Sequence, residues 1–511
     1  MKLKLVQKKV NYLSFLVLLA GILFISGCIG QQQQQTMSTL PISGENVSAV
    51  ALNMTATTNI SAGMPNVTVT TISTPDNSCI NKPTDTEKMD IFDSHVHIPS
   101  TISATQIILE MDKAGVSMSN LYSGSLEAIS KYPGRFITFV DTPDSPQHSI
   151  WLTQGQSFFT SAETQLKTGK FYGIGEANLR FYSGDNPHTS PPNIYVAPDN
   201  PLWLQLVDLS ARYHVPVSVH FVPDDPVANT AFEKMLNYNK DAIIIWAHIG
   251  FAEMLFNRAT LNDFLLRYPN LYFDTAGVQE LQNPPPQLGS NWGVLANQSD
   301  GQGPQTQQAP SQGQSQQDPG ETDNQNGGRL NEEWRQFFET WNTRILFGSD
   351  AGGGANGKER WLNYADQTSE GATPNAIGHW TRLLSNLDYN SALNILSGNA
   401  RTLFLKEQKP SYDYLVSSNG NCEHIFVSST SSVSALTFNQ STRAITFTVA
   451  DSIGTTGSAA IKIPMTLVRG NFTAQVDGQS VQIKEVSNSA DTTITLEYAG
   501  GIRKVVISAS P

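Results

Sequence analysis

The sequence predicts an α/β fold, a (β/α)8 TIM-type barrel, followed by a small all-β sandwich domain. Between Met89 and Leu405, eight short runs rich in β-forming residues end in polar residues, and a helical stretch follows each run. Such units are typical of a parallel barrel. From about Phe426 the hydrophobic pattern changes to a period of two, which indicates antiparallel strands joined by hairpins.

Predicted strands and helices alternate along the barrel, which is expected to span 86–408. The strands are Asp90–His97, Ser119–Ser123, Arg135–Val140, Tyr172–Glu176, Pro216–Phe221, Ala242–His248, Leu271–Thr275 and Arg344–Asp350. Helical candidates between and after them include Ser103–Ala114, Ser157–Lys167, Pro201–His214, Val227–Tyr238, Leu261–Tyr268, Asn331–Thr340, Asn375–Leu387 and Tyr389–Ser397. An open doubly wound sheet would carry a glycine-rich phosphate-binding turn after its first strand, and here that position holds Asp93-Ser94-His95-Val96-His97. The barrel is therefore favoured over the open sheet.

An insertion at 283–328 interrupts this alternation between the seventh strand and its helix. Its repeated Gln, Gly, Ser and Pro predict a disordered segment that cannot bury enough surface to order itself. The segment lies on the face of the barrel where the active site is expected. It is therefore either a mobile cover for that site or a passively tolerated insertion.

The C-terminal segment, 424–511, is predicted to form an antiparallel β-sandwich. Predicted hairpins join Val433–Phe438 to Ala444–Val449, Phe472–Val476 to Val481–Lys484, and Thr492–Tyr498 to Lys504–Ser508. The second hairpin turns at Asp-Gly and the third at Ala-Gly-Gly. A Gly-Thr-Thr-Gly run followed by Ile-Lys-Ile-Pro resembles β-domains at the ends of archaeal surface proteins.

Residues 1–28 have the three parts of an export signal. Four lysines lie within the first nine residues, Tyr12–Ile25 is almost wholly apolar, and Ile25-Ser26-Gly27-Cys28 closes the segment. The small pair before a single cysteine resembles a lipoprotein signal, in which Cys28 carries the lipid. The alternative is a simple N-terminal membrane anchor. The lipoprotein interpretation places the protein on the extracellular face of the cell membrane, with the membrane as a partner.

Residues 29–85 predict a low-complexity stalk between the lipid and the barrel. Export would allow glycosylation at the sequons of Asn46, Asn53, Asn59, Asn66, Asn297, Asn439 and Asn471. Cys79 and Cys422 flank the predicted barrel, and in an oxidising exterior they either form a disulfide or remain two free buried thiols. The formal net charge of −12 and the lack of a basic patch argue against a nucleic-acid partner.

His95 and His97 are the first candidate site residues. Side chains two positions apart on a strand point to the same face, so both imidazoles face the mouth of the barrel at the end of its first strand. Two adjacent imidazoles are a ready chelate for a metal ion. On its own, a His-x-His pair is a weak signal.

Four other predicted strands end in a further histidine or acid. Glu176 ends the fourth strand, His220 the fifth, His248 the sixth and Asp350 the eighth. A buried glutamate beside glycines is costly unless a cation or another partner compensates its charge. Four histidines and two acids at the same ends of the strands therefore predict a metal site.

Three residues near these strand ends have two open interpretations each. Arg180 could bind a carboxylate of the substrate, or it could be a surface arginine. Asp224 and Asp225 follow His220 closely, and they could contact the substrate or form a turn.

This run of motifs over residues 90–405 resembles the amidohydrolase superfamily, and in particular its amidohydrolase-related branch. Asn394-Ile-Leu-Ser-Gly-Asn-Ala-Arg-Thr-Leu-Phe404 resembles the final helix of that branch. The resemblance implies that His95, His97, His220 and Asp350 hold a divalent metal, commonly zinc. His248 would then be a further ligand or would polarise the substrate. Glu176 resembles the glutamate of TatD-like metal-dependent hydrolases, so one or two ions are expected.

The function expected from this resemblance is a metal-dependent hydrolase acting on a small molecule. Metal-bound hydroxide would cleave an amide, ester or similar bond, with Asp350 as general base and then acid. His248 or a second ion would stabilise the oxyanion. Two alternatives are a zinc-dependent decarboxylase of the same branch and a catalytically inactive surface or adhesion protein.

Overall fold

The computed structural model describes residues 79, 89–122, 124, 126–142, 155–182, 192, 194–251, 258–276, 282–283, 329–330, 332–353, 357–365 and 377–510. The predicted signal peptide with Cys28, the predicted stalk apart from Cys79, and residues 284–328 of the predicted insertion lie outside these residues. Within the described residues, no helix combines the length and the apolar character needed to cross a membrane.

A three-stranded parallel sheet opens the α/β part of the chain. Its strands are β1 (Ile91–His97), β2 (Val116–Tyr122) and β3 (Phe136–Thr138), with helices α1 (Ala104–Ala114) and α2 (Leu126–Lys131) between them. Ser103 and Gln106 form a capping box at the start of α1, and Gly115 ends the helix in the left-handed conformation. Ile107 and Met111 are buried, as expected for the apolar face of an amphipathic helix.

The next elements, in chain order, are α3 (Gly155–Lys167), β4 (Ile174–Phe181), β5 (Ile194–Tyr195), α4 (Pro201–Tyr213), β6 (Val217–Phe221), α5 (Pro226–Tyr238), β7 (Ile244–Trp246), α6 (Arg258–Arg267), β8 (Leu271–Asp274), β9 (Gln282–Asn283), β10 (Arg329–Leu330), α7 (Glu332–Thr340) and β11 (Ile345–Leu346). Six of these strands form a second sheet in the order β11-β8-β7-β6-β4-β5, all parallel except β5. A 3-10 turn, Ala247–Phe251, follows β7. Asn200 and Asp225 cap α4 and α5, each of which begins with proline.

The two sheets contact each other at both pairs of edges. A parallel bridge pairs Val140, just after β3, with Ile174 of β4, and another pairs Val96 of β1 with Ala351, beyond β11. The second edge also has hydrogen bonds from Ser94 N to Phe347 O at 2.9 Å and from Asp350 N to His95 O at 2.9 Å. The carboxyl ends of β1 and β11 therefore lie side by side, although they are far apart in sequence.

Helices continue after β11 and end the α/β part. They are α8 (Gly357–Leu362), α9 (Ile377–Leu384), α10 (Tyr389–Leu393), a π-helical turn (Asn394–Gly398) and α11 (Asn399–Leu405). The last four elements lie close to the helices expected from the sequence, whereas α8 was not predicted. A large cluster of buried apolar residues, including Trp203, Trp246 and Trp341, fills the space between strands and helices.

The insertion leaves and re-enters the fold at one place. β9 and β10 form a two-residue antiparallel ladder that pairs Asn283 with Arg329 and Gln282 with Leu330. The two ends of the insertion are therefore adjacent, and β8 and α7 keep the positions expected of a strand and its following helix.

The C-terminal part is an all-antiparallel β-sheet domain. Its strands are β12 (Tyr412–Ser418), β13 (Asn421–Ser429), β14 (Ser432–Asn439), β15 (Ala444–Pro464), β16 (Asn471–Val476), β17 (Gln479–Val481), β18 (Ile483–Ser487) and β19 (Asp491–Ser510). The domain therefore begins at β12, ahead of the predicted boundary at 424. The first two predicted hairpins are present as the β14–β15 and β16–β17 pairs.

The third predicted hairpin, at Ala499-Gly500-Gly501, is wrong. β19 runs through this segment without reversing, and it pairs with β15 on both sides of an irregularity between Asp451 and Thr456. Residues 452–455 of β15 lie opposite Gly500 at this irregularity, and a Cβ on Gly500 would lie 2.0 Å from Ser452 O. Glycine thus marks a close backbone contact within a strand, and buried residues on either side of it belong to one apolar cluster.

Polar contacts join the β-sheet domain to the residues that precede β11. Asn342 donates to Val433 O at 3.0 Å, and Thr343 and Ser432 share a hydroxyl hydrogen bond of 2.7 Å. Arg344 is buried and donates to the carbonyl of Tyr268. Cys79 and Cys422 form a disulfide with a Cα–Cα distance of 5.3 Å.

Candidate metal centre

Two histidines of β1 begin the site. The Nε2 atoms of His95 and His97 lie 3.3 Å apart, so the two rings face the same point as their spacing predicts. His95 is completely buried, whereas the side chain of His97 is 26% exposed. One imidazole therefore belongs to the interior and the other lines the opening.

Glu176 of β4 lies between two groups of ligating atoms. Its Oε2 is 3.3 Å from His95 Nε2 and 3.5 Å from His97 Nε2. Its other oxygen, Oε1, is 3.3 Å from His220 Nδ1 and 3.3 Å from His248 Nε2. The two oxygens of one carboxylate thus face different pairs of histidines.

Asp350 and the remaining two histidines complete the cluster. Asp350 Oδ1 is 3.5 Å from His97 Nε2 and 3.8 Å from His95 Nε2. On the other side, His248 Nε2 is 3.0 Å from His220 Nδ1. We define the β1–β11 half as His95, His97 and Asp350, and the β6–β7 half as His220 and His248, with Glu176 shared between them.

Asp274, the last residue of β8, supports both halves and was not predicted as a site residue. Its Oδ2 accepts a hydrogen bond from His95 Nδ1 at 2.9 Å, and its Oδ1 accepts one from the backbone N–H of His248 at 3.0 Å. His248 Nδ1 in turn donates to the carbonyl of Ala276 at 2.8 Å. These acceptors hold the protons on Nδ1, so Nε2 of each ring presents its lone pair to the cluster.

Negative charge dominates the electrostatics of the cluster. Burial lowers the pKa of His95, but the charges of Asp274 and Glu176 outweigh burial and leave this pKa well above its usual value. Burial raises the pKa of Glu176, but His95 and the hydrogen bonds of His220 and His248 bring it well below its usual value. The pKa of His220 is lowered by burial. The field that favours a proton on His95 also favours a bound cation.

Asp93 is a further buried carboxylate and lies on β1 itself. It accepts hydrogen bonds from the backbone N–H groups of His95 and Ser349 and from the hydroxyl of Tyr364. Burial raises the pKa of Asp93 to about 6, although these hydrogen bonds act in the opposite direction. Asp93 therefore links β1 to the segment that carries Asp350.

The other predicted candidates have partners within the fold. Arg180 is buried, its Nε lies 2.5 Å from Asp224 Oδ1, and Tyr182 donates to the second oxygen of Asp224. Asp225 caps α5 by accepting from Ala228 N. The guanidinium of Arg180 thus belongs to a buried ion pair, and Asp225 takes the turn alternative.

The ligating atoms fit a divalent transition metal. A tetrahedral ion with ligands at about 2.1 Å has ligand atoms about 3.4 Å apart, and the separations within each half are 3.0–3.8 Å. Imidazole nitrogens with carboxylate oxygens are the ligand set that such ions prefer. In two overlapping groups all the ligating atoms lie within 4.8 Å of one another, His95 with Glu176 and His248, and His95 with His97 and Asp350.

Comparisons with protein-family models and with curated proteins give no match. Among solved structures, the chain is similar to 2,6-dihydroxybenzoate decarboxylase from Rhizobium, with 14% identity, coverage of 63% of this chain and 100% of that chain, and a TM-score of 0.33. A dihydroxybenzoic acid decarboxylase from a Polaromonas species with bound manganese has 13% identity, coverage of 63% and 98%, and a TM-score of 0.31.

Amidohydrolase 2 from Bifidobacterium longum subsp. infantis has 12% identity, coverage of 62% of this chain and 100% of that chain, and a TM-score of 0.29.

Proposed function

We propose that this protein is a metal-dependent hydrolase of the amidohydrolase type, with two divalent ions, most simply zinc, held at the mouth of a closed (β/α)8 barrel. The observation that carries the proposal is the position of Glu176, whose two oxygens each lie 3.3 Å from histidine nitrogens of different halves. A carboxylate in this position can bridge two ions. The contacts at both pairs of sheet edges support the closed barrel.

The residues of the chain have distinct roles in the proposed reaction. Bound ions would lower the pKa of a water ligand to about 7 and polarise the scissile carbonyl. Asp350, with Oδ1 directed at the cluster and 16% of its side chain exposed, would accept the proton of the attacking water and return it to the leaving group. His220 and His248 would hold the second ion, whose charge would help to stabilise negative charge on the carbonyl oxygen. Arg180 is proposed to act on a substrate only indirectly, because its charge is paired with Asp224.

The experiment that tests this function measures metal and turnover together. Purified protein is expected to contain two transition-metal ions per chain and to hydrolyse a member of an ester, amide and lactone library. Replacing His95 and His97 together by Ala should reduce the metal content to about one ion per chain, because Asp350 is then the only unshared ligand of the β1–β11 half.

The matched control is His424→Ala. His424 lies on β13 and pairs with Asp413, away from the cluster. The His424→Ala variant should leave the metal content unchanged. Full metal retention in the double variant would rule out the site, and release of carbon dioxide from an aromatic carboxylate without hydrolysis would favour a decarboxylase instead.

The proposed location is the extracellular face of the cell membrane, through a lipid on Cys28. The support is the charged start, the apolar run and the Ser-Gly-Cys close of residues 1–28. Fractionation tests it, because Cys28→Ser should move the protein out of the membrane fraction. A variant that partitions like the parent protein would contradict the lipid anchor.

A further inference from the structure

The short helix α8 and the turn after it contact two residues of the β1–β11 half and the nearby carboxylate of Asp93. Arg360 Nη1 donates to Asp350 Oδ2 at 2.6 Å and to the Asp350 carbonyl at 3.2 Å. Trp361 Nε1 donates to the carbonyl of His97 at 2.8 Å. Tyr364 donates to Asp93 Oδ2 at 2.8 Å. Segment 357–365 therefore contacts both residues that line the opening of this half, and the carboxylate behind them.

Close backbone packing brings this segment to the site. Gly352 has a φ of +83°, and a Cβ there would lie 2.0 Å from His97 O and 2.6 Å from Trp361 Nε1. A Cβ on Gly357 would lie 2.2 Å from Gly352 O. Glycine is thus required at both positions for α8 to approach the end of β1.

Burial shows that these contacts are part of the interior. Trp361 and Tyr364 have no exposed surface, and their rings lie 4.8 Å apart. Arg360 is partly exposed, but its guanidinium contacts the outer oxygen of Asp350. Because Oδ2 is held there, Oδ1 faces His97 and His95.

The β6–β7 half has a different set of supports. Asp274 and the Ala276 carbonyl hold His248, and the ring of His220 packs edge-on against Phe181 at 5.1 Å. The hydrogen bonds of segment 357–365 described above reach Asp350, His97 and Asp93, which lie on β1 or just after β11. Changes in α8 should therefore affect one half of the centre.

We propose that Arg360 and Trp361 are positioning residues for the ion of the β1–β11 half. Arg360 fixes the rotamer of Asp350, and Trp361 fixes the end of β1 where His97 projects. The inference rests on the proposed two-ion centre. It assigns a role to a segment whose sequence carries no metal-binding motif.

The test is a Co2+ titration of metal-free protein, with visible absorption and metal content as readouts. We expect Arg360→Gln to raise the dissociation constant of one of the two Co2+ ions by about 10- to 100-fold. This is the range found when a group that orients a metal ligand is removed. Arg360→Lys should recover part of this loss, because it keeps a charge beside Asp350. Trp361→Phe keeps a large ring without the N–H donor, and it should raise the dissociation constant of the same ion.

The matched control is Lys358→Gln, an equal change of charge on an exposed position of the same helix. It should leave both dissociation constants unchanged. Equal weakening of both ions by Arg360→Gln, or no weakening, would overturn the positioning role. Wild-type protein that binds fewer than two Co2+ ions would instead contradict the proposed centre, and the inference with it.

Discussion

The two halves of the candidate centre are built from parts of the chain at very different distances in sequence. In the β6–β7 half, His220 and His248 are 28 residues apart and lie at the carboxyl ends of consecutive strands. In the β1–β11 half, Ser94 bonds to Phe347 and Ser349 to Asp93, over separations of 253 and 256 residues. The second half therefore forms only when the two ends of the α/β part meet.

The difference implies unequal robustness. Neighbouring parallel strands position the β6–β7 half through their own ladder, whereas the β1–β11 half needs the edge contact and segment 357–365 as well. Contacts between distant segments involve larger loop-closure entropy and form later in folding. We therefore expect the β1–β11 half to be the more sensitive to substitutions outside the ligands.

The largest expected effect comes from Glu176→Gln, which breaks the link between the halves. An amide has a single acceptor oxygen and an NH2 group that cannot bind a cation, so one half loses its shared ligand. We expect the metal content to fall from two ions to one per chain, measured by elemental analysis. Unchanged metal content would show that the halves do not share Glu176.

Asp274→Asn should have a smaller effect, but on both halves. The amide cannot accept from both His95 Nδ1 and the backbone N–H of His248 as the carboxylate does. If its NH2 group faces His95, the ring must move its proton to Nε2, which blocks that ligand. We expect both Co2+ dissociation constants to rise by about 10- to 100-fold.

The matched control for this variant is Asp241→Asn, an exposed change before β7. It should bind Co2+ like the parent protein. If only one Co2+ dissociation constant rises in Asp274→Asn, Asp274 supports a single half. The contrast between Asp274, which is expected to affect both ions, and Arg360, which is expected to affect one, would then be wrong.

Much of the fold could be predicted from the sequence, because strand and helix periods are local signals. The alternation of strands and helices predicted the mixed α/β core, and the period of two predicted the antiparallel domain. The prediction for Ala499-Gly500-Gly501 was wrong because glycine suits both a hairpin turn and a close backbone contact within a strand. The pairing partners of the strand decide between these two structures, and they are distant in sequence.

The candidate site likewise has residues that local sequence signals predict and residues that they do not predict. The rule that polar residues at strand ends face one mouth brought together His95, His97, Glu176, His220, His248 and Asp350. Applied to the predicted strand Leu271–Thr275, the same rule could have found Asp274. No such signal marks Arg360, because the contact that gives it the proposed positioning role joins a six-residue helix to Asp350, ten positions away. The metal-ligand roles of the six cluster residues and the supporting roles of Asp274 and Arg360 are proposals.

Asp350→Asn should change the metal content of the purified protein least and turnover most, although it should weaken binding of the ion in the β1–β11 half at least as much as Arg360→Gln does. Glu176, His95 and His97 still supply ligands to the β1–β11 half, and an amide oxygen can coordinate weakly in place of Oδ1. Metal content should therefore fall much less than in the double histidine variant. Turnover of an identified substrate should fall by about 10²–10⁴-fold, because an amide cannot accept the proton. Arg360→Lys, measured beside it, keeps the carboxylate and should keep most of the turnover. If Asp350→Asn retains parental turnover, Asp350 is not the proton acceptor and its place in the β1–β11 half is structural.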